Sequence, residues 1–469
     1  MNRLDVIAIR KFCLSDQMDF GKFSGDLNPI HIDPIAARRT LHGVCIVHGM
    51  HAVLWALEQL TIKHANRLLS VKVRFSNPLL LDCVTKCRLD VGSQKISLTQ
   101  NNVVCVSIVL AFGDATPNLI KKRPLVSRLE ANDVCFQSFS LGDQCDFKCY
   151  QAKDYKNVPF PNLSRIYGDI FVAESAALSQ LVGMECPGKH SLFASFFLSL
   201  CDKNKCTRYK VVKMDERIDL IHLEVAAYSF NALLECFFRP KPVASIDYLV
   251  CQNMVSINEF KNVNALIIGG SRGLGECAAK LISAGGGRSL ITYYHGDADA
   301  IAVKQEINVS DGFCECLYLN IGDMEHININ FEELAINQVY YFASPKISFE
   351  KQADYQIKKK EYLKFYCESF RMLAEKIVST IDDLSFFYPS TVFIDENKKG
   401  FEGYIQAKLA GEEICQELAN SNPSIQMITA RLPVLQTDQN QSISGRVLAG
   451  DKNAKVLLPY IRQMNHSNN

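Results

Sequence analysis

The 469-residue chain is 48% hydrophobic and 22% charged, the make-up of a globular protein with room for roughly two to four domains. A net charge of +1 gives no electrostatic footing for a nucleic-acid or acidic-membrane partner. The 18 cysteines are scattered, with no Cys-x-x-Cys pair and no zinc-finger spacing; this fits free thiols in a reducing cytoplasm and no bound metal.

The first ten residues lack an apolar core long enough for a signal peptide. The first informative stretch is Phe23-Ser-Gly-Asp-Leu-Asn-Pro-Ile-His31. It sets a carboxylate, Asp26, and an imidazole, His31, around Gly-Asp and Asn-Pro turn signals. A fixed, irregular backbone that projects two titratable groups suits paired acid/base work. Asn28 is expected to hold this turn by a side-chain to backbone hydrogen bond, and Asp33 to belong to a turn at Asp33-Pro34. Residues 48–60 read as a helix with Val53, Ala56, Leu57 and Leu60 on one face. His48, Gly49 and His51 break the apolar run 44–60, so it is not read as a membrane span. His42 and His51 have weaker catalytic claims than His31. Residues 69–75, 84–91, 95–99 and 103–112 read as strands, punctuated by Asn77-Pro78 and Gly92-Ser93.

The string 23–31 closely resembles the signature of the MaoC-like (R)-specific enoyl-thioester hydratases, which are hot-dog proteins. The resemblance implies a sheet wrapped round the 48–60 helix. It also implies that Asp26 and His31 hold one water, activate it and return a proton. The enolate oxygen of the thioester needs backbone N–H donors. The helix start at His48-Gly49 is the expected place for them, because a first helical turn leaves donors free.

Residues 130–250 repeat the same order of elements. A helix is expected over 171–182, ended by Gly183 and Pro187, followed by strands at 191–200, 209–213, 218–226 and 231–238. This segment lacks the Asp/His turn and is read as a degenerate second hot-dog, structural and substrate-shaping; an unrelated α+β domain is the alternative. Tyr167, Asp169 and Glu174 are expected to be capping and solvent-facing groups, and His190 carries no special role.

A linker is expected over 255–261. Beyond it, Val263-Asn-Ala-Leu-Ile-Ile-Gly269 is a short apolar strand that runs into Gly269-Gly-Ser-Arg-Gly-Leu-Gly275 and then a helix over 276–284. Glycines at this place let a pyrophosphate approach the backbone, and the helix N-terminus favours its charge. Helical and strand-like stretches then alternate, the pattern of a parallel α/β sheet. The spacing Gly-x-x-x-Gly-x-Gly resembles the short-chain dehydrogenase/reductase family, and Tyr404-Ile-Gln-Ala-Lys408 matches its Tyr-x-x-x-Lys pair.

That second resemblance implies that Tyr404 gives a proton to a carbonyl as hydride arrives. Lys408 would lower the Tyr404 pKa and hold the nicotinamide ribose. Ser390 or Thr391 would polarise the carbonyl. Gly269, Ser271, Arg272, Gly273, Leu274 and Gly275 would bind the dinucleotide, with Asn320 and Ala343 at later strand ends and Pro433 and Thr437 near the carboxamide. Strand 288–293 ends without an acidic residue, Asp297 and Asp299 coming late; Arg272 could pair with a 2′-phosphate, so NADP is favoured over NAD. Asn320-Ile321 and Tyr341-Phe-Ala-Ser344 depart from the family pattern, and the helical Asn of relatives is replaced, with Tyr362 as the candidate.

The expected fold class is thus an α+β double hot-dog (1–125 and 130–250) followed by an α/β Rossmann-like doubly wound parallel sheet (259–469). The expected activity is that of a cytoplasmic, bifunctional enzyme of fatty-acid or polyketide-like metabolism. It would combine (R)-3-hydroxyacyl dehydratase/enoyl hydratase with NADPH-dependent 3-oxoacyl reductase, acting on acyl-CoA or acyl carrier protein thioesters. Alternatives are a degenerate or keto-sugar-directed reductase domain, or a non-catalytic acyl-thioester-binding component of an assembly line. A homo-oligomer stays open.

Overall fold

The computed structural model describes residues 5–61, 67–113, 130–147, 159–201, 204, 206–239, 241–243, 245–350, 355–435, 437 and 451–466. The chain forms two compact units, Met1–Lys241 and Pro242–Gln441 with Arg446–Asn469. The segments expected as 1–125 and 130–250 therefore fall almost entirely in one unit.

In the first unit, β1 (Asp5–Lys11), β2 (Arg67–Phe75), β3 (Val84–Asp90), β4 (Lys95–Gln100) and β5 (Val103–Gly113) make one half of a sheet. The other half holds β6 (Gln144–Cys145), β7 (Ser191–Leu200), β8 (Arg208–Asp215), β9 (Leu220–Ala226) and β10 (Phe230–Phe238). The order is β1-β3-β4-β5-β2-β7-β10-β9-β8-β6, ten strands in one sheet. The halves join where β2 pairs antiparallel with β7, Val73 opposite Phe196. In β3 alternate residues Thr85, Cys87 and Leu89 are buried, as expected for a sheet with one covered face.

Four helices precede β2: α1 (Leu14–Ser24), α2 (Pro29–Ile32), α3 (Pro34–Arg38) and α4 (Gly49–Thr61). The long α5 (Pro161–Gln180) continues into a π-helical turn, Leu181–Glu185. Apart from Gly49 and Gln59, residues 49–60 of α4 are buried, which matches a sequence apolar almost all round. Its Glu58 accepts the Asn162 and Leu163 N–H groups and so caps the start of α5. Glu174 is also buried and accepts the N–H groups of Tyr228 and Ser229, so it does not face solvent as the sequence reading expected.

The second unit begins earlier than expected. Helix α6 (Tyr248–Gln252) contributes Tyr248 and Cys251 to the core, and Phe260, inside the stretch expected as linker, is fully buried there. A six-stranded sheet follows: β11 (Asn264–Ile268), β12 (Arg288–Tyr293), β13 (Phe313–Tyr318), β14 (Gln338–Tyr341), β15 (Ser385–Thr391) and β16 (Gln426–Leu432). All its pairings are parallel and the order is β13-β12-β11-β14-β15-β16, so the chain reverses direction of travel between β11 and β14. Ligands of open parallel sheets sit at such a switch point, outside the carboxyl ends of the strands. Helices α7 (Gly273–Ala284), α8 (Asp297–Val309) and α13 (Asp451–His466) take part in this unit together with α9 (Tyr355–Leu363), α10 (Ser369–Val378), α11 (Phe393–Glu396) and α12 (Glu402–Ser421). One core cluster holds residues of α7, α8 and α13, and a second holds residues of α9, α10 and α12. Among the described residues no helix is long and apolar enough to cross a membrane, and the cysteines are all free.

Candidate functional site

The Gly25-Asp26 turn follows α1, whose C-cap Gly25 has φ of 83°, a conformation that favours glycine. Asn28 then caps the single turn α2: its Oδ1 accepts the Ile30 N–H, and its Nδ2 donates to the carbonyls of Gly183 and Lys189. His31 thus projects from a short helix, not from irregular backbone. Its Nδ1 donates to the Ile46 carbonyl at 2.9 Å, which fixes the tautomer and leaves the Nε2 lone pair free to accept a proton. Across a gap of 3.9 Å from Nε2 lies Asp26 Oδ2.

The Asp26 carboxylate is buried and held on both oxygens. Oδ1 accepts the Asn28 N–H, and Oδ2 accepts the Ser179 hydroxyl at 2.6 Å. Burial raises the Asp26 pKa, while His31, Ser179 and the Asn28 N–H pull it back. Burial lowers the His31 pKa, so its neutral form is favoured, and Asp26 opposes this. His48 stacks on His31 with ring centroids 3.9 Å apart, and its own pKa is held well below the ordinary value by burial. Its Nδ1 faces Gln17 Oε1 and its Nε2 faces the Asp26 carbonyl oxygen, so a neutral ring can donate to only one of the two.

Asp26, His31 and His48 offer ligand atoms within 4.8 Å of one another. The Asp26 edges to both imidazoles are 3.9 Å. Zinc bonds of ~2.0–2.1 Å would set tetrahedral edges of about 3.4 Å, so the trio suits proton transfer better than zinc ligation. Gly49 opens α4, where the first N–H groups have no acceptor inside the helix. A side chain there would meet the Phe75 ring at 2.8 Å. His51 lies in the core, stacked on Phe20, and Asp33 caps α3. Ser179, Gly183 and Gln17 belong to the site but carry no local motif.

In the second unit the loop Gly269–Gly275 connects β11 to α7. A Cβ on Gly269 would lie 2.8 Å from the Ala343 backbone nitrogen, and one on Gly275 would lie 2.3 Å from the Gly269 carbonyl oxygen. At Gly269 and Gly275 the loop is therefore closed to side chains and presents bare backbone at the switch point, which fits a pyrophosphate. Gly273 has φ of 61°, and a Cβ on it would lie 3.5 Å from Thr437 Cγ2, so Thr437 sits beside the turn. Ser271 is buried, Leu274 packs on the core, and Asn320 Oδ1 accepts the Gly322 N–H. Pro433 follows β16 on the surface.

Tyr404 is buried near the start of α12. The buried Glu350 carboxylate accepts the Gly403 and Tyr404 N–H groups and so anchors that helix start. Thr391 lies close enough to the Tyr404 hydroxyl to pull its pKa down, whereas the Ser390 hydroxyl donates to Glu412 at 2.5 Å. Both side chains reach α12, Ser390 at Glu412 and Thr391 at Tyr404, so of this pair only Thr391 lies by Tyr404.

Lys408 corrects the expectation drawn from the Tyr-x-x-x-Lys spacing. Its Nζ donates to the Pro389 carbonyl at 2.6 Å and lies over the Tyr366 ring, 3.8 Å from its centroid. Burial brings its pKa down to about 7, and burial raises the Tyr404 pKa where a lowered one was expected. Tyr362, the expected replacement for the helical Asn, has its ring centroid 5.6 Å from that of Tyr404, and Tyr366 is as near. Tyr366 lies in a π-helical turn, Lys364–Glu368, and its hydroxyl shares a 2.5 Å contact with Ser344. Finally, Arg272 Nε lies 3.6 Å from Asp299 Oδ2, so the guanidinium expected to meet a 2′-phosphate already has a carboxylate beside it.

Residues 5–110 match the family described as MaoC like domain. They form a MaoC-like domain. Among the curated proteins no significant match exists. Among the solved structures similar to the chain are short-chain dehydrogenases. One, from Burkholderia cenocepacia in complex with NADP, is 16% identical, covers 43% of this chain and 91% of its own, and has a TM-score of 0.38. Another, from Pseudomonas syringae, is 16% identical with coverages of 45% and 92% and a TM-score of 0.38. An alternative dihydrofolate reductase from Brucella suis in complex with NADP is 16% identical with coverages of 38% and 76% and a TM-score of 0.34.

Proposed function

We propose that the first unit hydrates a trans-2-enoyl thioester, or dehydrates the (R)-3-hydroxyacyl thioester in reverse. In this reading the ten-stranded sheet is a double hot-dog with one armed half. The observation that carries the reading is the facing pair: His31 Nε2, its lone pair freed by the Nδ1 bond to Ile46, looks across 3.9 Å at the pinned Asp26 carboxylate. A water between them gives one proton to the pair, its oxygen bonds to C3 of the thioester, and a proton returns to C2. The enolate oxygen formed on the way is met by the free N–H groups at the start of α4, Gly49 first among them. Loss of enoyl absorbance from crotonyl thioester tests this directly. Asp26→Asn should abolish it, and an unchanged rate in that variant would sink the assignment.

For the second unit we propose a reductase acting on a 3-oxoacyl thioester, with NADPH supplying hydride. The chain's own part is the proton: Tyr404 gives it to the carbonyl oxygen, with Thr391 beside the same hydroxyl. The bare Gly269–Gly275 backbone supports dinucleotide binding, and one polypeptide would hold the shared 3-hydroxyacyl product at high effective concentration for both steps. Acyl-CoA and acyl carrier protein thioesters are both candidate substrates. NADPH oxidation with acetoacetyl thioester tests the reading, and Tyr404→Phe should stop it. A second reading, a hydratase carrying a degenerate reductase fold, is favoured by one observation: Lys408 is turned to the Pro389 carbonyl. No oxidation of NADPH by any 3-oxoacyl thioester would decide for it.

A further inference from the structure

The Asp26 carboxylate is seated by residues more than a hundred positions away. Ser179 lies in the last turn of α5 and is 5% exposed; its hydroxyl reaches Oδ2, the oxygen nearest both imidazoles. One helical turn on, Gly183 leaves no room for a Cβ, which would stand 2.5 Å from Asp26 Oδ1, and its carbonyl takes the Asn28 amide. The oxygens that set the angle of the carboxylate are thus gripped by α5 and its π-helical turn on one side and by the Asn28 N–H on the other.

We infer that Ser179 is a positioning residue of the Asp26/His31 pair: the helix of the half without its own acid/base residues holds the acid of the half that has them. This rests on the hydration reading proposed above. Ser179 touches no reacting atom; it donates to the carboxylate, fixes Oδ2 opposite His31 Nε2, and favours the ionised form. The groups acting on Asp26 from the packed elements are His31 on α2, His48 ahead of α4 and, through its effect on His31, Arg239 after β10. None of these changes when Ser179 is replaced.

The full chain is compared as wild type, Ser179→Ala and Ser179→Thr, with crotonyl-CoA hydration followed across pH. In parallel, Asp26 is titrated by 13C NMR of carboxyl-labelled protein, its signal identified by loss in Asp26→Asn. Ser179→Ala is expected to lower kcat on the order of 10–100-fold with KM little changed, since a misplaced catalytic group costs rate more than binding. The acid limb of the profile and the Asp26 midpoint should both move up by about one pH unit. Ser179→Thr, which keeps the hydroxyl, should restore most of both. A parallel loss in kcat and KM with an unmoved midpoint would mean a merely structural serine and overturn the inference. If the wild type hydrates nothing, the hydration reading fails. The NMR midpoint then still decides: a shift in Ser179→Ala supports the coupling, and no shift overturns it.

Discussion

Gly183→Ala is a small substitution with a large expected effect. The φ of Gly183 lies outside the left-handed region, so alanine brings no backbone strain there. What it brings is a methyl carbon 2.5 Å from Asp26 Oδ1 and 2.9 Å from its Cγ. Ordinary carbon–oxygen contact begins near ~3.4 Å, so the carboxylate must retreat by about 0.9 Å, or the π-helical turn must shift by as much. Neither move is easy, because Oδ1 holds the Asn28 N–H, Oδ2 holds the Ser179 hydroxyl, and the Gly183 carbonyl holds the Asn28 amide. A displacement of ~1 Å at a reacting group costs on the order of 100-fold in rate. Crotonyl-CoA hydration by Gly183→Ala should therefore fall about 100-fold in kcat, and its urea midpoint, read by fluorescence, should fall modestly, since overpacking a buried site costs about 1–3 kcal/mol. A kcat within twofold of wild type would show that the carboxylate is free to move, and would refute both the pinned geometry and its importance.

Three further outcomes are expected. His51 is buried against Phe20 and its pKa is brought down to about 3, chiefly by burial; a histidine depressed in the folded state supplies stability that is full above its unfolded pKa and is lost as pH falls. From ~6.5 unfolded, that loss is about 2 kcal/mol at pH 5, so His51→Phe should lose about that much less than wild type between pH 8 and 5. The single Trp, Trp55, lies 5.4 Å from Phe12 in the same core and reports it; equal losses in both proteins would contradict a neutral buried His51. Asp299→Asn should tighten NADPH relative to NADH by relieving the carboxylate beside Arg272, and an unchanged ratio would remove Arg272 from the 2′-phosphate assignment. Thr391→Val should cost about 100-fold or more in carbonyl reduction where Ser390→Ala costs little, and the reverse ranking would contradict the orientation of β15.

What the sequence made legible was local. The helix at 48–60 shows in its apolar faces, and the strands at 84–91 and 103–112 show in their alternation and β-branched content. Asp26, Asn28 and His31 lie within one short string, so their proximity is a matter of covalent geometry; the glycine loop is equally local, following its strand directly. Contacts made by folding were not legible. Nothing near Ser179 or Gly183 announces that a π-helical turn brings them onto Asp26. The pair Ser390 and Thr391 could be narrowed only by knowing which residue of α12 each side chain meets. The helical spacing of Tyr404 and Lys408 puts both on one face, yet a four-carbon side chain can end several ångströms from where its Cβ points, and here the nearer acceptor was the Pro389 carbonyl.

The two sites differ in one physical respect that bears on how each would work. In the first, the polar contacts converge on the proposed acid/base pair: Ile46 fixes the His31 tautomer, and Ser179 and the Asn28 N–H fix Asp26, so the geometry is set without a ligand. In the second, two cations assigned to the cofactor are engaged within the chain, Lys408 with the Pro389 carbonyl and Arg272 with Asp299. To take up those roles, Lys408 must bind with the donors the Pro389 carbonyl leaves it and Arg272 from beside a carboxylate that offsets part of its charge, which limits what either adds. Dinucleotide affinity would then rest on the glycine backbone and the α7 N-terminus, which recognise pyrophosphate without regard to the nicotinamide end. It follows that truncating the ligand to its adenosine diphosphate portion should cost little affinity, whereas a reductase whose lysine grips the nicotinamide ribose would lose much of it. Competition between the fragment and the whole dinucleotide, read by calorimetry, distinguishes an engaged Lys408 from one that turns to its ligand.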